Sequence, residues 1–472
     1  MRRASLCLTA MAAALSACSL APPYLAPPPP QVADYKEGGM WTEATPADQL
    51  PRGGWWKVFA DADLDRLELQ VDQSNPTLAG ALARYDEATA YLREAQSNLL
   101  PTVGASGSVT GNRQSDNRPL RGAGQPNQYD ANTISAQVGW ELDLWGRVRN
   151  LVAAQKENAQ AVGADLQSAK LSLESDLADD YVRLRGLDTQ SALLDQVIQA
   201  WTKTLTLTEK RHADGVSSKL DVDRARAQLE QAKAQASETL SRRALLEHAI
   251  ASLTGVTAST FSLPPKAQPM ATPNVPPVIP SALVQRRPDV AAAERRMAAA
   301  NSQIGVARAA YFPTIDLMGS AGYQNTGGAN LIQAGNSVWG IGPSLAMTLF
   351  DGGLRKAATA AARANFDVAS AAYRARVLQA FQEVEDGLSL ENQLAAEAVS
   401  EDAAIAAARE AEALAGKRYQ RGATSYLELA IAQTVALQAE QGGYDLATRR
   451  SQASIHLIRS IGGGWDGTTP TL

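Results

Sequence analysis

Beyond residue 18 the chain contains no cysteine, since Cys7 and Cys18 are the only two in 472 residues. No internal disulfide and no thiolate metal site can therefore form in the body of the protein. Aromatic residues are scarce at 6%, whereas alanine is abundant. That balance disfavours one large core of bulky side chains and favours helices with narrow, small-residue interfaces. There is no excess of positive charge. A net charge of −5 speaks against a nucleic-acid partner, which would be met by a basic surface. The three histidines, His212, His248 and His456, have no metal-ligand spacing with one another. No Walker A pattern, G-x-G-x-x-G, G-x-S-x-G or His-Glu-x-x-His occurs. Carboxylate pairs such as Glu383 with Glu385, or Asp179 with Asp180, sit within helical runs, where a solvated face is their ordinary role. The sequence thus offers no catalytic residue, and neither cofactor nor metal is expected. Nor is there a methionine cluster, with only seven in the chain, to suggest copper handling.

What is present begins with an export signal. Arg2 and Arg3 supply a positive start, and residues 4–15 form an apolar run too short to span a bilayer as a helix. Leu15-Ser16-Ala17-Cys18 follows. A small-residue cleavage site ending in cysteine resembles the bacterial lipobox, which predicts removal of residues 1–17 and lipidation of Cys18. Ser19, rather than aspartate, stands next, which in such lipoproteins resembles release to the outer membrane. Residues 21–30 are proline-rich and predict an extended tether of about 30 Å at ~3.1 Å per residue.

The chain repeats itself. Asn75-Pro76-Thr77-Leu78 resembles Arg287-Pro288-Asp289-Val290, and Leu100-Pro101-Thr102-Val103 resembles Phe312-Pro313-Thr314-Ile315. Leu144-Trp145 answers Leu349-Phe350, Arg211-His212-Ala213-Asp214-Gly215 answers Arg418-Tyr419-Gln420-Arg421-Gly422, and Leu253-Thr254-Gly255 answers Ser460-Ile461-Gly462. Order is kept, so a duplicated domain is expected. Its divisions are a signal peptide 1–17, an anchor, tether and equatorial segment 18–69, a first repeat 70–255, a proline-rich linker 256–281, a second repeat 282–463 and a tail 464–472.

Each half has the same plan. In the first, residues 76–98 are helical in pattern, 102–110 have strand features, 111–130 form a polar loop, and 133–145 alternate strictly. Ile134, Val138, Trp140, Leu142 and Leu144 face one way, with Ser135, Gln137, Gly139, Glu141 and Asp143 opposite, which is a strand signal. The second half predicts strands over 314–324 and 338–350. Pro343 would remove a ladder donor there, so a bulge or weakened pairing is expected. Residues 147–211 contain no proline and would form a helix of about 100 Å at ~1.5 Å per residue. Two seven-residue seams run along it: Leu166, Leu173, Asp180, Leu187, Leu194, Trp201, and Lys170, Leu177, Leu184, Ser191, Ile198, Leu205. Such seams predict coiled-coil packing with left-handed supercoiling. A glycine turn at 214–217 ends this helix, and a shorter one returns over 219–253. The two short helices of each half are expected to stack end to end beside the long one, their junction marking an equator where tether, linker and tail meet.

Four strands cannot close a barrel, and open strand edges are not tolerated in lipid because their N–H and C=O groups find no partner. Membrane barrels need at least eight strands, so chains must pool theirs. Pattern alone does not choose between two chains and three.

Trp55-Trp56-Lys57-Val58-Phe59 with Leu64 and Leu67, Glu141-Leu142-Asp143-Leu144-Trp145-Gly146-Arg147, Leu349-Phe350-Asp351-Gly352-Gly353, and Arg418-Tyr419-x-x-Gly422 with Tyr426-Leu427-Glu428-Leu429 and Ala432-Gln433 recur in order and spacing. Together, over residues 18–464, they resemble the TolC-type outer-membrane efflux factors, in particular the lipidated NodT-like drug-efflux branch. The resemblance implies a mainly α protein with a membrane β-barrel: a homotrimeric 12-stranded barrel continued by a 12-helix periplasmic tunnel of antiparallel coiled-coil helices. It implies the exit duct of a tripartite efflux pump for small toxic compounds, with a periplasmic adaptor, an inner-membrane transporter and outer-membrane lipid as partners. An exit duct for type I protein secretion is the alternative within this class. A pore-free periplasmic lipoprotein is the alternative outside it, and the two amphipathic strand pairs argue against that one. The resemblance places a gate at the far helix turns, with Arg418, Tyr419, Asp221 and Glu428 as its candidates. It makes Gly215, Val216, Ser217, Gly422, Ala423 and Thr424 candidate adaptor contacts, for which turn chemistry alone is the plainer explanation. Related ducts carry an aspartate just past the second turn, where Ile431 stands here, so an acidic ring is expected to be missing or displaced.

Overall fold

The computed structural model describes residues 19–25, 36, 54–118, 124–268, 270, 273, 287–327 and 330–463. The signal peptide, Cys18, the tether beyond residue 25, most of the linker past residue 268 and the tail 464–472 lie outside the described residues.

A 3₁₀ turn, Trp55–Phe59, leads into α1, Ala62–Ser74, and α2, Pro76–Ser97. Strands β1, Thr102–Arg113, and β2, Gln128–Glu141, precede α3, Arg147–Ala213, and α4, Lys219–Leu253. The second half repeats the series with α5, Pro288–Ala309, β3, Thr314–Asn325, β4, Ser337–Ala346, α6, Leu354–Gln420, and α7, Tyr426–Ser460. The duplication is visible in element lengths: α2 and α5 have 22 residues each, α3 and α6 have 67, and α4 and α7 have 35.

The chain falls into two compact units that cut across the repeats. The first combines Arg84–Gly163 with Ala292–Tyr373 and the 19–25 segment. In it the four strands form one antiparallel sheet in the order β1-β2-β3-β4. Register pairs Val103 with Val138, Val138 with Gly319, and Gly319 with Ile341. Trp140 pairs with Leu317, and Ile315 with Leu345. One face is therefore apolar across all four strands, because side chains alternate. The other carries Ser106, Ser135, Gln137 and Ser320, with the Ser106 and Ser135 hydroxyls 3.1 Å apart. Among the described residues, the outer sides of β1 and β4 have no strand beside them.

Four strand limits differ from the sequence expectation by three residues or more. β1 and β2 extend into the polar loop, as far as Arg113 and back to Gln128. β2 stops at Glu141, although the alternation continues to Trp145. Asp143 turns back there to accept the amides of Val148 at 3.1 Å and Arg149 at 2.8 Å, which caps α3. Trp145 stacks on Phe312 at 4.7 Å and donates to the Pro313 carbonyl at 2.8 Å. β4 likewise stops at Ala346, because Asp351 accepts the amides of Gly353 and Arg355 ahead of α6. The bulge expected at Pro343 is not there: it pairs one-to-one with Leu317. The reason is parity. The Ile315 carbonyl accepts from Leu142 on the β2 side, so Leu317 also points its backbone toward β2, and Pro343 opposite it directs its nitrogen away from β3. On the sheet edge, the missing donor costs no bond within the chain.

The second unit holds residues 54–83 with the chain from Ala164 and from Arg374. Its core joins Trp55, Trp56, Phe59, Leu64, Leu67 and Val71 to Leu177, Tyr181 and Leu184 of α3, Ile250 of α4, Leu263 of the linker and Ile455 of α7. The middle of α3 is thus buried on a broader face than the two seams predict, because the amino-terminal segment and the linker both pack on it. The end-to-end stacking of short helices is explicit. Asn75 donates to the Leu253 carbonyl, the last of α4, at 2.7 Å, and Arg287 donates to the Ser460 carbonyl, the last of α7, at 3.0 Å. Both satisfy a helix-end acceptor that has no partner within its own helix.

Candidate functional site

Two helix turns make the candidate site, one in each repeat. α3 ends at Gly215 (φ 73°) and α6 at Gly422 (φ 75°). In the first, the amides of Gly215 and Val216 bond to the His212 and Arg211 carbonyls at 3.0 and 2.8 Å. In the second, those of Gly422 and Ala423 bond to the Tyr419 and Arg418 carbonyls at 2.9 and 2.8 Å. Both are Schellman stops, which need a left-handed residue that glycine supplies without strain. The return helices start alike. Ser218 caps α4, accepting from the Asp221 amide while Asp221 takes the Ser218 amide in return. Ser425 caps α7 by accepting from the Glu428 amide, and the Glu428 carboxylate takes the hydroxyl proton of Thr424. Two of the gate candidates, Asp221 and Glu428, therefore occupy the same capping position, where a negative charge also meets the positive end of the helix dipole.

Tyr419 is buried at the centre of the site. Its ring meets that of Tyr426 edge-on at 5.9 Å, within a small apolar cluster that includes Ala225 and Leu429. Its hydroxyl is 2.8 Å from Thr208 Oγ1. The Thr208 proton goes to the Thr204 carbonyl at 2.8 Å, so Tyr419 is the donor of the pair. Tyr426 donates in turn to Gln228 at 2.9 Å. Burial pushes the Tyr426 phenol up to about 12, with Tyr419 and Asp221 adding to it, so Tyr426 acts as a neutral group.

Arg418, by contrast, is exposed. With Lys417 and Arg421 it forms no ion pair among the described residues. The arginine that grips the hairpin from within the chain is Arg211, the first-repeat counterpart of Arg418. Its guanidinium carbon lies 4.7 Å over the Tyr419 ring, and Nη1 donates to the Tyr419 carbonyl at 2.8 Å. Sequence reasoning missed Arg211, although the repeat alignment could have found it. Around it Arg226 of α4 ties the first hairpin to Glu209 of α3 at 3.0 Å, and Lys219 pairs with Asp223 within α4 at 2.6 Å. Of the adaptor-contact candidates, Gly215, Val216, Gly422 and Ala423 are exposed, and Ser217 and Thr424 are half-buried. Ile431 is exposed and brings no acid to the turn. Among the described residues no group of three His, Cys, Asp or Glu could hold a metal, and no helix is long and apolar enough to cross a membrane.

A second cluster, also unforeseen, ties the linker down. Asp188 is buried between Arg185 at 2.9 Å and Arg243 at 2.6 Å. The two guanidiniums donate to the carbonyls of Pro264 and Leu263 at 2.9 and 2.5 Å. Glu247 and Asp188 accept the amides of Leu263 and Lys266 at 2.7 and 3.0 Å. Asp61 holds the Lys266 ammonium at 2.8 Å and the Tyr181 hydroxyl at 2.8 Å. Burial alone would raise the Asp61 carboxyl, but its bonds from Lys266, Tyr181 and the Leu64 amide outweigh that and hold it below its usual 3.8.

Comparison with known proteins agrees with this architecture. The family described as Outer membrane efflux protein matches residues 69–256 and 279–463. Outer membrane protein OprJ of Pseudomonas aeruginosa is 32% identical over 97% of this chain and 95% of its own. Antibiotic efflux pump outer membrane protein ArpC of Pseudomonas putida is 30% identical over 98% of this chain and 96% of its own. The crystal structure of outer membrane protein VceC from Vibrio cholerae superposes with a TM-score of 0.82, at 28% identity, covering 88% of this chain and all of that one. The chain belongs to the outer membrane efflux protein family and is the outer-membrane channel of an efflux pump.

Proposed function

We propose that three copies of this chain pool their four-stranded sheets into a twelve-stranded barrel in the outer membrane, continued into the periplasm by a tunnel of twelve helices. The observation that carries this is the sheet itself, with one apolar face, one face of serine and glutamine, and two outer edges that among the described residues have no strand beside them. In lipid such edges must pair, and the apolar face is the one that lipid accepts. Each repeat, 70–255 and 282–463, supplies one strand pair and one helical hairpin, and a lipid on Cys18 would anchor each chain in the same membrane. The test is electrophoresis of membranes before and after heating, together with cysteines placed on the outer sides of β1 and β4. A heat-sensitive trimer with cross-links between protomers is the expected result. A freely soluble monomer would overturn it.

The helix turns at Gly215 and Gly422 would form the closable end. Tyr419 holds the second hairpin to α3, and Arg418, exposed beside it, is free to reach an acceptor on a neighbouring protomer. Asp221 and Glu428 are the acids within this region. The segments Gly215, Val216, Ser217 and Gly422, Ala423, Thr424 are the contacts for a periplasmic adaptor, which hands on cargo from an inner-membrane transporter. The name of ArpC specifies antibiotics for that relative. Small toxic organic compounds are the cargo proposed here. A deletion strain unchanged in its sensitivity to a panel of antibiotics, dyes and solvents would count against this cargo.

A further inference from the structure

Helix α1 buries more negative charge than its surroundings neutralise. Glu68 follows Leu67 on the face that carries Leu64 and Val71, and like them it is wholly inaccessible to solvent. Both of its carboxyl oxygens are buried without a hydrogen-bond partner. Glu174 of α3, 2% exposed, is its strongest charged neighbour, followed by Asp72, Lys170 and Asp65. Lys170 is the cation among them, bonded to Asp72 at 2.6 Å and 3.7 Å from Glu174. From the amino-terminal turn, Trp55 Nε1 donates to Glu174 at 3.1 Å. One ammonium thus faces four carboxyl groups, two of them fully enclosed. An ionised carboxylate enclosed without a partner is heavily penalised, whereas its protonated form is neutral. A metal ion is no remedy, since no set of three acidic, histidine or cysteine ligands converges here among the described residues.

We propose that Glu68 and Glu174 form a proton-operated clasp: the segment from Trp55 to Ser74 is held on α3 while these carboxyls carry protons, and their ionisation loosens it. The direction follows from linkage. Released from α3, both groups would titrate near 4.5. In place, burial raises Glu174 to about 7, against the pull of Lys170 and Trp55. Burial raises Glu68 well above its usual value, with Glu174 and Asp72 adding to the effect. The docked state therefore binds more protons than the released state above the lower value. Its stability falls as pH rises, through about 7 for Glu174 and further for Glu68. The amino-terminal segment grips α3 in acid and relaxes in alkali, and it carries the packing of Trp55, Trp56 and Phe59 with it.

Hydrogen exchange of the detergent-solubilised full chain, corrected for intrinsic rates, reads the opening of peptide 55–74 at about pH 6 and about pH 8.5. Protection is expected to fall about tenfold or more across that interval, the equivalent of one unit of differential titration. The helix turn around Gly422, which contains no histidine, serves as the internal control and should not change. Glu68→Gln, neutral at every pH, should remove most of the response. Glu174→Gln, which keeps an acceptor for Trp55, should reduce it and decides the matter if the first variant does not assemble. Equal protection at both pH values in the unaltered chain, or a variant with the full response, would overturn the clasp.

Discussion

The guanidinium of Arg211 on α3 lies 4.7 Å over the ring of Tyr419 on α6 and donates to the carbonyl of that same residue at 2.8 Å. One side chain of the first repeat thus holds both the ring and the backbone of the second, at the last turn before the chain reverses. Arg211→Ala removes a cation–π contact and a charge-assisted bond, about 1–3 kcal/mol of local stability. Faster exchange in both hairpins and a larger open fraction in single-channel recordings are expected. Arg211→Lys should recover little, because an ammonium cannot stack on the ring and reach the carbonyl at once.

Tyr419→Phe is the milder test. It keeps the ring between Arg211 and Tyr426 and removes only the bond to Thr208, whose own proton already has the Thr204 carbonyl. A loss of about 1 kcal/mol is expected. Conductance should lie between those of the unaltered channel and Arg211→Ala.

The two turn glycines make a matched pair. Alanine at either position must adopt a positive φ, at about 1–2 kcal/mol. At Gly215 the added carbon meets open space, whereas at Gly422 it would lie 3.0 Å from Arg211 Nη2. Gly422→Ala should therefore perturb gating more than Gly215→Ala, by displacing Arg211. Equal effects in thermal melts and in channel recordings would contradict this.

Asp188→Ala should be the most damaging single change outside the sheet. It leaves the guanidiniums of Arg185 and Arg243 facing one another in a buried site, a loss of about 3–5 kcal/mol. The expected readout is cleavage of the linker near Leu263 by added protease, at concentrations the unaltered protein resists.

Asp61 should make the linker sensitive to acid. The Asp61 carboxyl is held below its usual 3.8, so the stability it lends through Lys266 is full above that value and lost as pH falls through the lower one. Protection of peptide 255–268 should therefore drop in strong acid, and that of the first turn of α1, which Asp61 caps and ties to Tyr181, should drop with it. Asp61→Asn should reduce the acid-induced change, leaving the part that Asp188 and Glu247 carry.

Arg418 and Tyr419 show how far the sequence could be followed. The repeat marked both as the end of a long helix, and the glycine four residues past Arg418 marked the turn. Nothing local said that Arg211, 208 residues away from Tyr419, would be the arginine inside the cluster and Arg418 the exposed one. Glu68 was equally hidden, because a carboxylate beside leucines on a short helix has the pattern of an ordinary amphipathic edge. The strand limits at Glu141 and Ala346 were missed for a simpler reason. Alternation persists through Trp145 and Phe350, while Asp143 and Asp351 spend their carboxylates on the next helix and end the ladder early.

The amino-acid order alone determined the duplication, the long helices, the alternating strands and the glycine turns, because each is written in a period of two, three and a half, or about two hundred residues. Tertiary structure alone decided which charges are enclosed, which arginine meets the buried tyrosine, and that Pro343 keeps its register at the sheet edge. The first two depend on burial and on partners a hundred or more residues apart, the third on the parity of the β3–β4 pairing, and no local period records where the folded chain brings them together.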